Sequence, residues 1–221
     1  MRSEHAPLCV QNVMRLLVAT TNANKVHEIR QLLTGVPMPL TTLAQWPDVE
    51  APAETGRTFE ENARAKAVYY AVATGELTVA EDSGLEIDAL DGAPGVESAR
   101  FGGIEMSYPE KFAMIYRALA ARGSVDSAAR FVCALALADG DRILYETGGI
   151  VEGRIAPAPK GSGGFGYDPI FFYPPYGQTL AEAGDRKAAV SHRGQAFRAL
   201  RAFLQSHRRS ATPSGERPSL G

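Results

Sequence analysis

The chain has 221 residues, a mass of 23.6 kDa, 45% apolar and 22% charged residues, and a formal charge of −2 from 23 Lys and Arg against 25 Asp and Glu. These values describe one large globular domain or two lobes sharing a core, and they exclude collagen, a coiled coil and bulk disorder. The near-neutral balance argues against a broad basic face for a nucleic acid polymer, so any anion site has to be local.

Residues 1–14 mix charges, Pro7 and short apolar pieces without a period; the expectation is a poorly ordered extension, with Met14 an alternative start. Arg15 to Ala19 reads as a short buried strand, followed by the polar turn Thr20-Thr21-Asn22-Ala23-Asn24-Lys25 and a helix carrying Val26, Ile29, Leu32 and Leu33. A second helix starts at Thr58, where T-F-E-E supplies a capping box with Glu61, and runs to about Thr74 before Gly75 ends it. Leu77 to Ala80 reads as a strand ending in Glu81-Asp82-Ser83-Gly84, and Leu85 to Leu90 as a further extended segment. Ser107 with Glu110 opens a third helix that buries Phe112, Ile115, Tyr116 and Leu119. Strands at about 130–138 and 142–151 form a hairpin around Asp139-Gly140, and a last helix runs from about His192 to Ser206. Residues 208–221 are rich in Arg, Ser, Pro and Gly and are expected to be a disordered tail.

This order of elements predicts an α/β fold with a mixed central sheet and flanking helices, its two lobes, residues 15–207, enclosing a cleft. Cys9 and Cys133 are too few for a disulfide framework and lack C-x-x-C spacing, which suits a reducing, cytoplasmic setting. The longest apolar run, Phe131 to Ala138, has eight residues where a membrane span needs about 20, so neither anchor nor export is expected.

Four polar segments interrupt the regular pattern. Thr20 to Lys25 offers helix N-terminal N–H groups, hydroxyls and a lysine, the donors a phosphate chain needs, although the same residues also suit a plain N-cap on a surface loop. Glu81-Asp82, with Glu54-Thr55-Gly56 on an earlier loop, offers carboxylates for Mg²⁺ and for accepting a proton from water; a turn in which Asp82 caps the local backbone fits equally. Gly161 to Pro169 matches G-x-G-x-x-G, but Pro157, Pro159 and Pro169 stand where a dinucleotide fold needs a strand and a helix, and no G-K-[ST] follows. Its Phe165, Gly166, Tyr167 and Asp168 suit a flat ligand, or else a flexible turn. Lys187 with His192 and Arg193 makes an anion or base-edge clamp, or a solvated charge cluster. No G-x-S-x-G, H-E-x-x-H or EF-hand pattern occurs, which speaks against serine and zinc hydrolases.

Taken in order, ATTNANK, ETGRTFEENARAKA, AEDSGLEIDALDGAPGVESARFGG, GSGGFGYDPIFF and KAAVSHRGQA resemble the inosine/xanthosine triphosphate pyrophosphatases, which remove non-standard purine nucleotides, over about residues 15–205. The resemblance implies an elongated α/β fold, usually a homodimer, that hydrolyses a nucleoside triphosphate to the monophosphate and pyrophosphate with Mg²⁺. It implies that Thr20, Thr21, Asn22, Ala23, Asn24 and Lys25 hold the triphosphate, with Lys66 reaching it from the other side. Asp82 would be the catalytic carboxylate and a metal ligand, with Ser83 beside it on the substrate. Phe165 to Asp168 would frame the base, and Lys187, His192 and Arg193 would complete the pocket. Family members often carry two acidic residues before the Thr-Gly of the second block. Here the first, to which the resemblance ties the metal role, is Ala53, so that Glu54 or Glu81 would join Asp82 as metal ligand. A nucleotide pyrophosphatase of wider or pyrimidine-directed range, and a nucleotide-binding regulator without catalysis, remain alternatives.

Overall fold

A computed structural model describes residues 14–123 and 126–209. The expectations for residues 1–13, Cys9 among them, and for 210–221 lie outside the described residues. Among the described residues seven strands form one mixed sheet: β1 (Leu16–Val18), β2 (Leu40–Thr42), β3 (Leu77–Ile87), β4 (Ala128–Asp139), β5 (Arg142–Ile155), β6 (Phe171–Tyr173) and β7 (Gln178–Thr179), in spatial order β2-β1-β3-β4-β5-β6-β7. β1 lies parallel to β2 and β3, and the remaining pairings are antiparallel. Five α-helices among the described residues accompany it: α1 (Ala23–Leu32), α2 (Phe59–Thr74), α3 (Tyr108–Ala121), α4 (Lys187–Val190) and α5 (His192–Arg209). The mixed α/β class is as the sequence pattern predicts.

β4 is buried on both faces, which is why its sequence is an unbroken apolar run rather than an alternation. Cys133, Leu135 and Leu137 join Leu16, Val18, Ile29, Phe197 and Leu200 in a core under α1 and α5. Val132, Ala134, Ala136 and Ala138 face Ala63, Ala67 and Ala71 of α2. Alanine against alanine lets α2 lie close to the sheet and fixes the direction of its next face, Asn62, Lys66 and Tyr70, spaced by four residues. A further core gathers Leu85, Ile87, Phe112, Ile115, Phe131 and Phe171 around α3.

The structure corrects the reading of residues 77–90. β3 does not stop at Ala80: it runs on through Glu81-Asp82-Ser83-Gly84 to Ile87, and Asp88–Leu90 is a 3₁₀ turn. Pairing explains it, because β4 bonds along Thr78 to Ile87 whatever the polarity of the side chains, whereas β1 matches only Leu77 to Val79. The carboxylates therefore stand in mid-strand, at the point where one edge of β3 is left open. Gly84 permits this continuation, since a Cβ there would come within 2.5 Å of the Gly95 carbonyl and closer still to Ser98 Oγ.

Three smaller differences follow from local bonds. Thr58 Oγ1 accepts from Glu61 N–H, but the Glu61 carboxylate accepts from Arg57 N–H, so the capping box closes one residue early. α5 extends two residues past 207, to Arg209. β5 runs to Ile155, and only Arg154 and Ile155 of its outer edge pair with β6. Beyond that pairing, the Gln195 side chain accepts from Ile150 N–H and donates to Ile150 C=O. No helix among the described residues is long and apolar enough to cross a membrane.

Candidate active site

Glu81 and Asp82 leave β3 on opposite faces, as alternate strand residues must. On the α2 face, Asp82 Oδ2 accepts from Asn62 Nδ2 at 2.9 Å, and Lys66 Nζ lies 3.4 Å from Asp82 Oδ1 and 2.5 Å from Glu54 Oε1. Glu54 arrives on the loop before α2, where Arg100 also holds its carboxylate and its main-chain oxygen, both at 3.3 Å. Burial pushes the Asp82 carboxyl above the usual aspartate value, an effect that Lys66 and Asn62 only partly offset. Burial alone would raise Glu54, but Lys66, with Lys25 and Arg100 behind it, together hold it below its usual value. Lys66 is in turn pushed up, burial being overcome by Asp82 and Glu54.

On the other face, the Glu81 carboxylate is met by Lys25 Nζ at 2.9 Å and by Arg193 Nη2 at 3.1 Å. Burial alone would raise it, yet the two cations hold it well below the ordinary glutamate range. Arg193 also donates to Ser83 Oγ at 2.9 Å and to Glu28 Oε2 at 2.9 Å, and Glu28 shares itself with Lys187 at 2.8 Å. Asn22 caps α1, its Oδ1 accepting from Asn24 and Lys25 N–H. Two of the helix donors expected for phosphate are thus already engaged, while Thr20, Thr21, Asn22 and Lys25 face the cleft.

The glycine-rich loop closes the far end. Gly161, Gly164 and Gly166 have φ of +79°, +68° and +68°, which the bends require. Asp168 Oδ2 accepts from Phe165 N–H at 2.8 Å and from Lys187 Nζ at 2.7 Å, so this carboxylate fastens the loop to the Lys187 helix. The Phe165 ring lies 4.9 Å from Lys187 Nζ and 5.4 Å from the Arg193 guanidinium. Tyr167 packs edge-on to Tyr108 and donates its hydroxyl to the Ser98 carbonyl, while still bordering the cleft. His192 stacks on Phe131 at 4.9 Å, and its Nδ1 is buried without a hydrogen-bond partner. Burial and the adjacent Arg193 hold its imidazole well below 6.5 and keep it neutral.

Most of these groups border one cleft of about 320 Å³, with Asn62, Glu28 and Arg100 standing behind its wall. It brings together Thr20, Thr21, Asn22, Lys25, Glu54, Lys66, Asp82, Ser83, Phe165, Gly166, Tyr167, Asp168, Lys187, His192 and Arg193; Ala23 and Asn24 lie in α1, off its wall. Glu54 points into the cleft and Ala53 is exposed outside it. Sequence reasoning missed Asn62, Glu28 and Arg100. The four-residue step from Asn62 to Lys66 on α2 was a usable signal, whereas Glu28 and Arg100 act through tertiary proximity alone.

Residues 16–203 match the Ham1 family model. The chain belongs to the Ham1 family. The dITP/XTP pyrophosphatase of an Exiguobacterium species is 47% identical over 192 residues, covering 86% of this chain and 97% of that protein. That of Thermus thermophilus is 47% identical over 190 residues, 85% and 90% of the two chains. Among solved structures, the HAM1 protein of Coxiella burnetii superposes with a TM-score of 0.81 at 38% identity, over 87% of this chain and 99% of that one. This Ham1 chain therefore shares with these relatives nearly the whole of the fold that builds the cleft.

Proposed function

We propose that this Ham1 protein hydrolyses non-standard purine nucleoside triphosphates, ITP, dITP and XTP, to the monophosphate and pyrophosphate. The observation that carries the reading is one cleft with a carboxylate–lysine cluster at one end and, at the other, a buried His192 whose Nδ1 lacks a partner beside Phe165 and Arg193. An orphaned buried nitrogen is costly unless a ligand satisfies it. The names of the relatives, dITP/XTP pyrophosphatase, support the same substrates.

The donor set fits Mg²⁺. Among the described residues no three His, Cys, Asp or Glu side chains gather as a metal cage. Asp82 and Glu54 nevertheless offer two hard carboxylates around Lys66, and Mg²⁺ is usually held by one or two carboxylates plus substrate phosphates. These two residues would hold the ion, which when bound neutralises triphosphate charge and polarises the phosphoryl oxygens.

The protein's own groups divide the remaining work. Lys25 and Lys66 neutralise the phosphates, and the Thr20 to Asn22 loop positions them. Asp82, whose carboxyl is pushed up by burial, accepts the proton of the attacking water as its oxygen bonds to the α-phosphorus and the α–β bridging oxygen leaves with pyrophosphate. Ser83 contacts the nucleotide, and the loop from Phe165 to Asp168 frames the base beside Lys187. His192, Arg193 and nearby backbone N–H groups donate to the purine 6-oxygen, so adenine, with an amino group there, leaves those donors unpaired. Guanine would be disfavoured where its 2-amino group meets no good acceptor or too little space.

The test is kcat/KM with Mg²⁺ for the triphosphates of inosine, xanthosine, adenosine and guanosine: inosine and xanthosine well above the others supports the reading, and equal values overturn it. The family resemblance also supports a homodimer working in the cytoplasm, with residues 15–207 as one two-lobed domain; sedimentation and cell fractionation test these points.

A further inference from the structure

Asn62 is 1% exposed and lies between the two halves of the carboxylate cluster. Its Nδ2 donates to Asp82 Oδ2 at 2.9 Å, and its Oδ1 accepts from Gly56 N–H at 2.8 Å. Gly56 belongs to the loop that carries Glu54, and a Cβ at Gly56 would stand 2.5 Å from Asn62 Oδ1, so the loop approaches this close only as glycine. The two ends of the amide are not interchangeable. A flipped amide would set its oxygen against a carboxylate and its NH₂ against an N–H.

Resting on the reading of Asp82 as the catalytic carboxylate, we propose that Asn62 is a positioning residue: it fixes the Asp82 carboxylate through Oδ2 and leaves Oδ1 turned to the cleft. Asp82 and Glu54 are otherwise linked through Lys66, an ion pair that any incoming cation or triphosphate competes for. The Asn62 bond is neutral on one side, buried, and made to the oxygen away from Lys66, so it persists when that ion pair is redistributed. One amide thus holds strand β3 and the Glu54 loop at a constant separation through the reaction.

The test compares kcat, KM for inosine triphosphate with Mg²⁺, and Tm for wild type, Asn62→Asp, Asn62→Ala and Asp82→Asn. Asn62→Asp keeps the size of the side chain and an acceptor for Gly56 but replaces the donor to Asp82 with a second carboxylate, so Asn62→Ala, which adds no charge, is read beside it. The expected result is a fall in kcat of about 10–100-fold in both Asn62 variants, with KM little changed. Wild-type kcat in Asn62→Asp, or a loss confined to KM or to Tm, overturns the inference and leaves Asn62 as a tie for the loop. Where Asn62→Ala does not fold, Asn62→Asp decides. Asp82→Asn separates the two readings: if it keeps wild-type turnover the assignment of Asp82 itself fails, and if it is inactive while Asn62→Asp is not, only the role of Asn62 fails.

Discussion

Glu81 and Asp82 are adjacent in β3, yet their carboxyls are driven in opposite directions, Glu81 held down by Arg193 and Lys25 against its burial, and Asp82 pushed up by burial. Such divergence separates a fixed counter-ion from a proton acceptor. Asp82→Asn is expected to lower kcat by about 10²–10⁴-fold. Its Tm should not fall, because an ionised buried carboxyl with a raised pKa opposes folding at neutral pH. Glu81→Gln takes from Lys25 and Arg193 the carboxylate they share, leaving Arg193 with Glu28 alone, which costs about 3–5 kcal/mol and lowers Tm by about 10 °C. Thermal unfolding and steady-state kinetics on both variants check the division of roles.

Glu54 faces the cleft and Ala53 does not. Glu54→Gln should therefore raise the Mg²⁺ concentration for half-maximal rate by at least about tenfold. Ala53→Asp should leave that concentration unchanged. A metal titration of the two variants at saturating nucleotide measures both.

Asp168 fastens the Phe165 N–H and Lys187 to one oxygen. Asp168→Ala releases the loop without touching Asp82 or Lys66. The expected outcome is an increase in KM of about tenfold, with a smaller change in kcat. Phe165 fluorescence is too weak to follow this, so the variant is best read by KM for inosine triphosphate.

His192 gives the stability a sign with respect to pH. The folded protein holds this imidazole neutral well below 6.5, whereas the unfolded chain takes up a proton near 6.5. Below that pH the unfolded state binds more protons, so stability falls as pH drops through 6.5 toward the folded value, by at most about 1.4 kcal/mol per pH unit. It is unaffected by this group above pH 7.5. Between pH 7 and pH 5, Tm should fall less steeply for His192→Gln than for wild type.

Much of this was legible in the sequence because local signals and motifs coincided. α1, α2, α3 and α5 followed from apolar spacing and from caps at Asn22, Thr58 and Ser107. The length of β3 was not legible, since polar residues 81–83 look like a break until pairing with β4 is known. β2, β6 and β7 have two or three residues each, too few for any period to register. The cleft residues named in advance were those lying in polar segments at element ends. Asn62 escaped because it reads as one more helix residue, and Glu28 because its partners lie more than 150 positions away in sequence.

The Gln195 amide on Ile150 bears on how much of the open sheet edge another strand can use. From Arg142 to Gly153 the outer edge of β5 has no strand partner among the described residues, and such an edge is a template on which another chain can add a strand. By taking both the N–H and the C=O of Ile150, Gln195 occupies that template near its C-terminal end with a side chain from its own last helix. A stray strand can then bond without interruption only along residues 142–149, because the three residues beyond Ile150 are too few to hold one. The helix that supplies Arg193 to the cleft thereby also shortens the edge on which another strand can pair.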